Sequence, residues 1–95
     1  MMSSNHNDVV ELLNDIKFEL EEQLRTAKKD NEINAGRLNQ LAGIMPNRLI
    51  STDLNSETKS SLVKFSNTIM YEATTLENLK MRLEDVEKIL RIMYG

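Results

Sequence analysis

The chain has no cysteine, no tryptophan, one proline, one histidine and three glycines in 95 residues. Without cysteine it forms no disulfide and offers no thiolate ligand to a metal. The single histidine, His6, lies near the N-terminus, so a histidine-based catalytic triad or a His-rich metal site lacks the residues it needs. Three scattered glycines do not form a phosphate-binding loop. We therefore predict a non-enzymatic protein with no cofactor and no metal.

Long apolar runs and an excess of positive charge are also missing. No stretch approaches the roughly 20 apolar residues that a transmembrane helix needs. The first residues lack the basic start and apolar middle of a secretory signal. The 12 basic and 15 acidic residues give a net charge of −3, whereas nucleic-acid binding usually requires a basic stripe. We therefore expect a soluble, cytoplasmic protein that binds neither nucleic acid nor membrane.

What the sequence does contain is a long apolar stripe in its C-terminal third. Positions on this stripe recur in steps of three and four, and only one of them, Glu72, is polar. They are Leu62, Phe65, Ile69, Glu72, Leu76, Leu79, Leu83, Val86, Leu90 and Met93. This spacing is typical of a helix that packs along another helix. It predicts a second helix over about 56–93.

A stripe with similar spacing predicts a first helix over about 8–42. Its members are Leu13, Ile16, Leu20, Leu24, Ala27, Asn31, Asn34, Leu38, Leu41 and Met45. Gly43 follows Leu41 of this stripe and Pro46 comes three residues later, which is the usual order of residues at a helix end. Residues 43–55 are therefore predicted to form an apolar loop, and residues 1–7 a flexible tail.

The two stripes match in one antiparallel register. Facing residues of an antiparallel pair have numbers with a constant sum, and a sum near 103 pairs the two stripes along their whole length. In this register Glu72 faces Asn31, next to Asn34, whereas other registers bury the Glu72 charge against leucine at high cost. We interpret these three residues as a polar layer that fixes the register. The predicted fold is all-α: an antiparallel, coiled-coil-like helical hairpin, completed by oligomerisation into a helical bundle or by partner helices.

Apolar residues away from the two stripes are candidates for contact with a partner protein, because a single hairpin leaves them in water. On helix 1 these are Leu12 and Phe18. Arg48, within the apolar loop, is a candidate polar anchor. The predicted partner-binding residues are Ile44, Met45, Arg48, Leu49, Ile50, Val63, Met70, Ile89, Ile92 and Tyr94. Two interpretations of the loop stay open, since it either closes the end of the hairpin or forms a recognition tip.

These features predict a coiled-coil scaffold, adaptor or assembly subunit that acts through protein–protein contacts. Its partner is either a second copy of the chain or another helical protein. The alternative is a small regulatory inhibitor, for example a viral protein that binds a host enzyme or polymerase through its loop tip or acidic face.

Overall fold

The computed structural model describes residues 6–94, and this part of the chain contains four α-helices and no strand. The helices are α1 (His6–Thr26), α2 (Gly36–Ile50), α3 (Ser56–Tyr71) and α4 (Leu76–Tyr94). No helix in this range is long and apolar enough to cross a membrane. The all-helical class is confirmed, but each of the two predicted long helices is broken into two.

The four helices pack around one core in a bundle-like arrangement. Each helix packs against the next along the chain, and α4 packs against α1. The α1–α4 interface is the most extensive and the α3–α4 interface the least. The molecule measures 44 × 22 × 19 Å. Both shorter dimensions are wide enough for two helices side by side, since packed helix axes lie about 8–10 Å apart. A straight two-helix rod does not have this shape.

Contacts between α1 and α4 follow the predicted register. Lys17 Nζ lies 4.0 Å from Glu87 Oε2, and the His6 ring hydrogen-bonds to the Met93 carbonyl oxygen. The residue numbers of these pairs add up to 104 and 99, and those of a third pair, Asn14 and Tyr94, to 108, so all three sums lie within five of the predicted 103. The two helices bury Val9, Leu13, Ile16, Leu20, Leu79, Val86, Leu90 and Met93. Apolar spacing therefore fixes which residues of these two helices face each other.

Both predicted long helices break where the predicted polar layer lies. Asn31 and Asn34 fall in the α1–α2 connection, and Glu72 is the C-cap of α3. All three residues are exposed. Polar residues in the middle of an apolar stripe let the chain bend there without exposing apolar surface, and the bend returns them to water. The prediction of a buried, register-fixing layer is therefore wrong, and these residues mark the bends.

Bending places α2 on the face of α1 that a straight hairpin leaves in water. Leu12, which lies off the predicted stripe, is only 1% exposed and belongs to the same core as Ala42 of α2. Full burial of a leucine side chain contributes roughly 1.5–3 kcal/mol. Phe18, the other off-stripe residue of α1, stays 65% exposed. The chain thus covers by itself part of the surface that the sequence assigns to a partner.

Helix α2 continues through both residues that predict its end. Gly43 and Pro46 lie within it, and it ends at Ile50. An interior proline costs about 3 kcal/mol, because it removes one backbone hydrogen bond and crowds the preceding turn. The same segment buries Met45 and Leu49, and their combined burial contributes roughly 3–6 kcal/mol.

The predicted apolar loop over 43–55 is therefore wrong, and only residues 51–55 connect α2 to α3. The predicted tail also ends earlier, since residues 6 and 7 belong to α1. The rest of that prediction, residues 1–5, lies outside the described residues.

Candidate interaction groove

A groove of about 860 Å³ lies between α2 and α3. We call it the α2–α3 groove. Helix α2 contributes Pro46, Leu49 and Ile50. The remaining lining residues, on α3 and at its C-terminal cap, are Ser56, Lys59, Ser60, Val63, Lys64, Asn67, Thr68, Tyr71 and Glu72. From its first to its last residue α3 rises about 22 Å at 1.5 Å per residue, so the groove follows roughly four helical turns.

Three apolar side chains of the α2–α3 groove remain in water. Ile50 is 78% exposed, Tyr71 79% and Val63 36%. Val63 and Tyr71 share a face of α3, because eight residues make slightly more than two helical turns. Single exposed apolar residues are ordinary on a protein surface, but several of them in one concavity are typical of an interaction site.

The charge of the groove is opposite in sign to that of the chain. Lys59 and Lys64 line it together with one acidic residue, Glu72, whereas the whole chain has a net charge of −3. Within residues 6–94 the ion pairs are Lys17–Glu87 and Glu22–Arg25. Neither lysine of the groove therefore forms an ion pair with an acidic residue in this range.

The structure brings three of the predicted partner-binding residues into this groove, namely Leu49, Ile50 and Val63. Met45 is fully buried in the core and offers no surface to a partner. Arg48 is half-buried, and its Nη1 donates to the Asp8 carbonyl oxygen of α1 at 2.9 Å. Its role as an exposed anchor of a loop tip is therefore wrong, because the tip is helical and packs on α1.

The other predicted partner-binding residues are dispersed. Ile44 is 37% exposed and Met70 is half-buried. Ile89 lines a smaller groove, of about 230 Å³, between α3 and α4. Ile92 and Tyr94 are exposed at the end of α4, where the Tyr94 hydroxyl accepts a hydrogen bond from the Asn14 side chain at 3.2 Å.

Sequence reasoning missed Tyr71 and the two lysines of the groove. A signal was present, since Val63, Asn67 and Tyr71 follow one another at intervals of four residues and therefore share one helix face. Met70, seven residues after Val63, lies on the same side of the helix but about 100° from Tyr71, and it is half-buried. The lysines carry no signal until Ile50 is placed beside α3.

A second feature lies at the end of the molecule that contains both bends, residues 27–35 and 72–75, which we call the hinge end. Arg82 of α4 is 1% exposed. Its Nη2 donates to the carbonyl oxygens of Thr68, Glu72 and Ala73 at 3.2, 3.3 and 3.0 Å. A cation at the C-terminus of α3 also interacts favourably with the helix dipole.

Burial lowers the pKa of the Arg82 guanidinium below its ordinary value, and the nearby Glu72 carboxylate partly opposes this shift. Arginine nevertheless keeps its charge at neutral pH. The sequence contains a signal for its burial, because Leu79, Arg82 and Val86 have a three-and-four spacing like that of Leu79, Leu83 and Val86. The apolar alternative, Leu83, is only half-buried.

Two further side chains close the hinge end. Asp30 Oδ1 accepts a hydrogen bond from the Leu76 backbone N–H at 2.9 Å, which places a negative charge at the N-terminus of α4. Gln23 is buried, and its Oε1 accepts from the Asn34 backbone N–H at 3.1 Å. These two bonds hold the 27–35 connection, the first to α4 and the second to α1.

No group of three or more His, Cys, Asp or Glu residues that could hold a metal occurs within residues 6–94. Comparisons with protein-family models, with curated proteins and with solved structures gave no significant match to this chain.

Proposed function

We propose that this chain is a non-enzymatic helical adaptor or assembly subunit that binds an acidic amphipathic helix of a partner protein in the α2–α3 groove. The observation that carries the proposal is the exposure of Ile50, Val63 and Tyr71 in one groove beside two unpaired lysines. A partner that covers these three side chains removes their apolar surface from water, which favours binding.

The dimensions of the groove favour a helical partner. A floor of about 22 Å accommodates a helix of about 15 residues. Amphipathic helices that bind in grooves use apolar residues at intervals of three and four. Two such residues, about two turns apart on the partner, match the separation of Val63 and Tyr71, and a third matches Ile50.

The charge of the groove favours acidic residues on the edges of that helix. Lys59 and Lys64 attract carboxylates, while the net negative charge of the chain repels an acidic partner from the rest of the surface. This difference directs the partner to the groove and sets its orientation. The effect weakens as salt is added, because exposed charges are screened.

The experiment uses a synthetic amphipathic helix of 16 residues with glutamates at the edges of its apolar face. A matched peptide carries lysines in place of the glutamates. We expect the acidic peptide to bind and the basic peptide to bind at least about tenfold more weakly, measured by fluorescence anisotropy. Equal binding of the two peptides contradicts the proposed charge recognition.

The surface is tested with Ile50→Ser and Tyr71→Ser. Each should weaken binding of the acidic peptide about tenfold, because each removes a large apolar contact. Ile92→Ser is the matched control, since Ile92 is 67% exposed and lies on α4, outside the groove. If Ile92→Ser weakens binding as much as Ile50→Ser, the binding site is not the α2–α3 groove.

A second candidate function is that of a small inhibitor that binds an enzyme through the acidic face of α1. One observation favours it: Phe18 is 65% exposed, with Asp15, Glu19 and Glu22 on adjacent turns of the helix. In affinity purification from the native source, Phe18→Ser should then abolish capture of an enzyme while Tyr71→Ser has no effect. The reverse result supports the adaptor.

A further inference from the structure

The molecule consists of two helix pairs joined at the hinge end. The terminal pair is α1 with α4, and the middle pair is α2 with α3. Contacts of the terminal pair have residue numbers that add up to 104, 99 and 108. In the middle pair, the facing helix ends add up to 106 for Ile50 with Ser56 and 107 for Gly36 with Tyr71, and the contact between Gly43 and Met70 gives 113. The sums for both pairs therefore lie between 99 and 113, around the sum of 103 that describes one straight antiparallel hairpin.

At the bend between α3 and α4, two backbone groups that would hydrogen-bond to each other in a continuous helix hydrogen-bond to side chains instead. In a continuous helix the Leu76 N–H donates to the Glu72 carbonyl oxygen, four residues earlier. In the bent chain Asp30 accepts from that N–H at 2.9 Å, and Arg82 donates to that carbonyl at 3.3 Å. Both backbone groups thus have partners in the bent form, and both would have partners in a straight form.

The apolar stripe also continues through this bend. Ile69, Leu76 and Leu79 lie seven and three residues apart, so straightening keeps them on one side of the helix. Glu72 is the stripe residue between them and is exposed at the bend. A straight α3–α4 helix therefore keeps its apolar stripe continuous. Straightening nevertheless separates the middle pair from the terminal pair of the same chain.

We propose that a second copy of this chain takes the place of the separated pair, giving a domain-swapped dimer. Both bends straighten, and the middle pair of each copy packs on the terminal pair of the other. The α1–α2 and α3–α4 interfaces then form between chains with the same residues, including Leu12 and Ala42. Exchange of identical elements through a hinge is a low-cost route to a dimer, because the core contacts are unchanged.

This dimer does not depend on the proposed function. The α2–α3 groove is lined by residues of α2, of α3 and of the α3 C-cap, so it belongs to the middle pair in both forms. Loss of peptide binding leaves the dimer intact, and absence of the dimer leaves peptide binding intact.

Crosslinking distinguishes the swapped dimer from two closed molecules side by side. Because the chain has no cysteine, cysteine pairs can be placed at will. Asp8→Cys with Arg48→Cys spans the α1–α2 interface far from the hinge end, where Arg48 reaches the Asp8 carbonyl oxygen at 2.9 Å. Lys17→Cys with Glu87→Cys spans the α1–α4 interface, where the native side chains lie 4.0 Å apart.

The full-length chain is refolded from urea at high concentration, and its dimer is isolated by size-exclusion chromatography with light scattering. A bis-maleimide reagent should then join two chains through the 8–48 pair and only one chain through the 17–87 pair. If both pairs are joined within single chains, or if refolding gives monomer alone at every concentration, the proposal is wrong.

A cap substitution provides the second measurement. Thr75 Oγ1 accepts from the Asn78 N–H at 3.0 Å in the bent form, whereas residue 75 lies inside a helix in the straight form, where alanine is preferred. Loss of one N-cap changes a helix-terminus equilibrium about fivefold. Thr75→Ala should raise the dimerisation constant about 25-fold, since each dimer contains two such bends.

Asn55→Ala is the matched control. Asn55 Oδ1 accepts from the Thr58 N–H at 2.8 Å and caps α3 at the opposite end of the molecule, where nothing straightens. This variant should lower stability by a similar amount without raising the dimer fraction. Equal dimer fractions for Thr75→Ala and Asn55→Ala contradict the proposal.

Discussion

The two ends of the molecule are held together by different means. Among the bonding side chains of the hinge end, Arg82 and Gln23 are buried, whereas Asp30 is exposed. At the opposite end, which we call the terminal end, Arg48 is half-buried, and His6 and Asn55 are exposed. The buried Thr52 hydroxyl at this end bonds only within its own turn, to the Leu49 carbonyl oxygen. A buried donor or acceptor that loses its partner pays the full desolvation penalty, whereas water replaces the partner of an exposed one. The same kind of bond should therefore contribute more to stability at the hinge end.

The largest effect is expected for Arg82→Ala. The substitution removes a buried side chain and the donor that the Thr68, Glu72 and Ala73 carbonyl oxygens share. Thr68 and Ala73 keep a second donor, from the Glu72 N–H and the Asn78 side chain, whereas the Glu72 carbonyl loses its donor. We expect a loss of about 3 kcal/mol in the free energy of unfolding, measured by urea denaturation followed by circular dichroism. Arg91→Ala, on the exposed side of the same helix, should change stability by less than about 0.5 kcal/mol. Similar losses for both arginines contradict the special role of Arg82.

Gln23→Ala should have the next largest effect at the hinge end. Gln23 donates to Glu19 Oε2 at 2.8 Å and accepts from the Asn34 N–H at 3.1 Å. Its removal should cost about 1–2 kcal/mol, because the Asn34 N–H loses its acceptor in a partly buried site. Gln40→Ala is the control, since Gln40 is exposed on α2. A loss below about 0.5 kcal/mol for Gln23→Ala indicates that water replaces this bond.

Arg48→Ala measures the same type of interaction at the terminal end. Arg48 also donates to a backbone carbonyl, that of Asp8, but it is only half-buried. We expect a loss of about 1 kcal/mol, clearly less than for Arg82→Ala, in the same urea denaturation experiment. If Arg48→Ala and Arg82→Ala cost equal amounts, burial does not distinguish the two ends.

Gly43→Ala tests a position in the interior of α2, away from both caps. A Cβ atom there meets nothing closer than the Met70 Sδ at 4.0 Å, which is ordinary van der Waals contact. Alanine in a helix interior is favoured over glycine by about 0.8–1 kcal/mol, so the variant should unfold at a higher urea concentration. A decrease in stability means that this part of α2 is not helical in solution.

Sequence reasoning predicts the helical class and the α1–α4 register because both depend on apolar spacing, which is a local pattern. It fails at Pro46, because the gain from burying Met45 and Leu49 depends on the other helices of the core, which the local sequence does not reveal. It also fails at Glu72. A polar residue on a stripe is compatible with a buried layer and with a bend, and only the packing of α2 on α1 decides between them.

The candidate groove was predictable only in part for the same reason. The sequence shows that Ile50 and Val63 are apolar residues outside both stripes. It does not show that they lie near Tyr71 and the two lysines, because this depends on the antiparallel packing of α2 and α3. Arg82 was missed because the sequence analysis assigned the neighbouring Leu83, and not a charged residue, to the buried face of the helix.

The location of the groove on one helix pair has a consequence for affinity. Each copy keeps its own groove in the proposed dimer, so the dimer is bivalent and the monomer monovalent. A partner with two acidic helices joined by a linker of suitable length would bind the second groove at a high effective concentration. Avidity gains of about 10²–10⁴ are typical when both sites are engaged at once. A shift between the bent monomer and the straight dimer would then change the affinity for such a partner, while the residues that contact the partner stay the same.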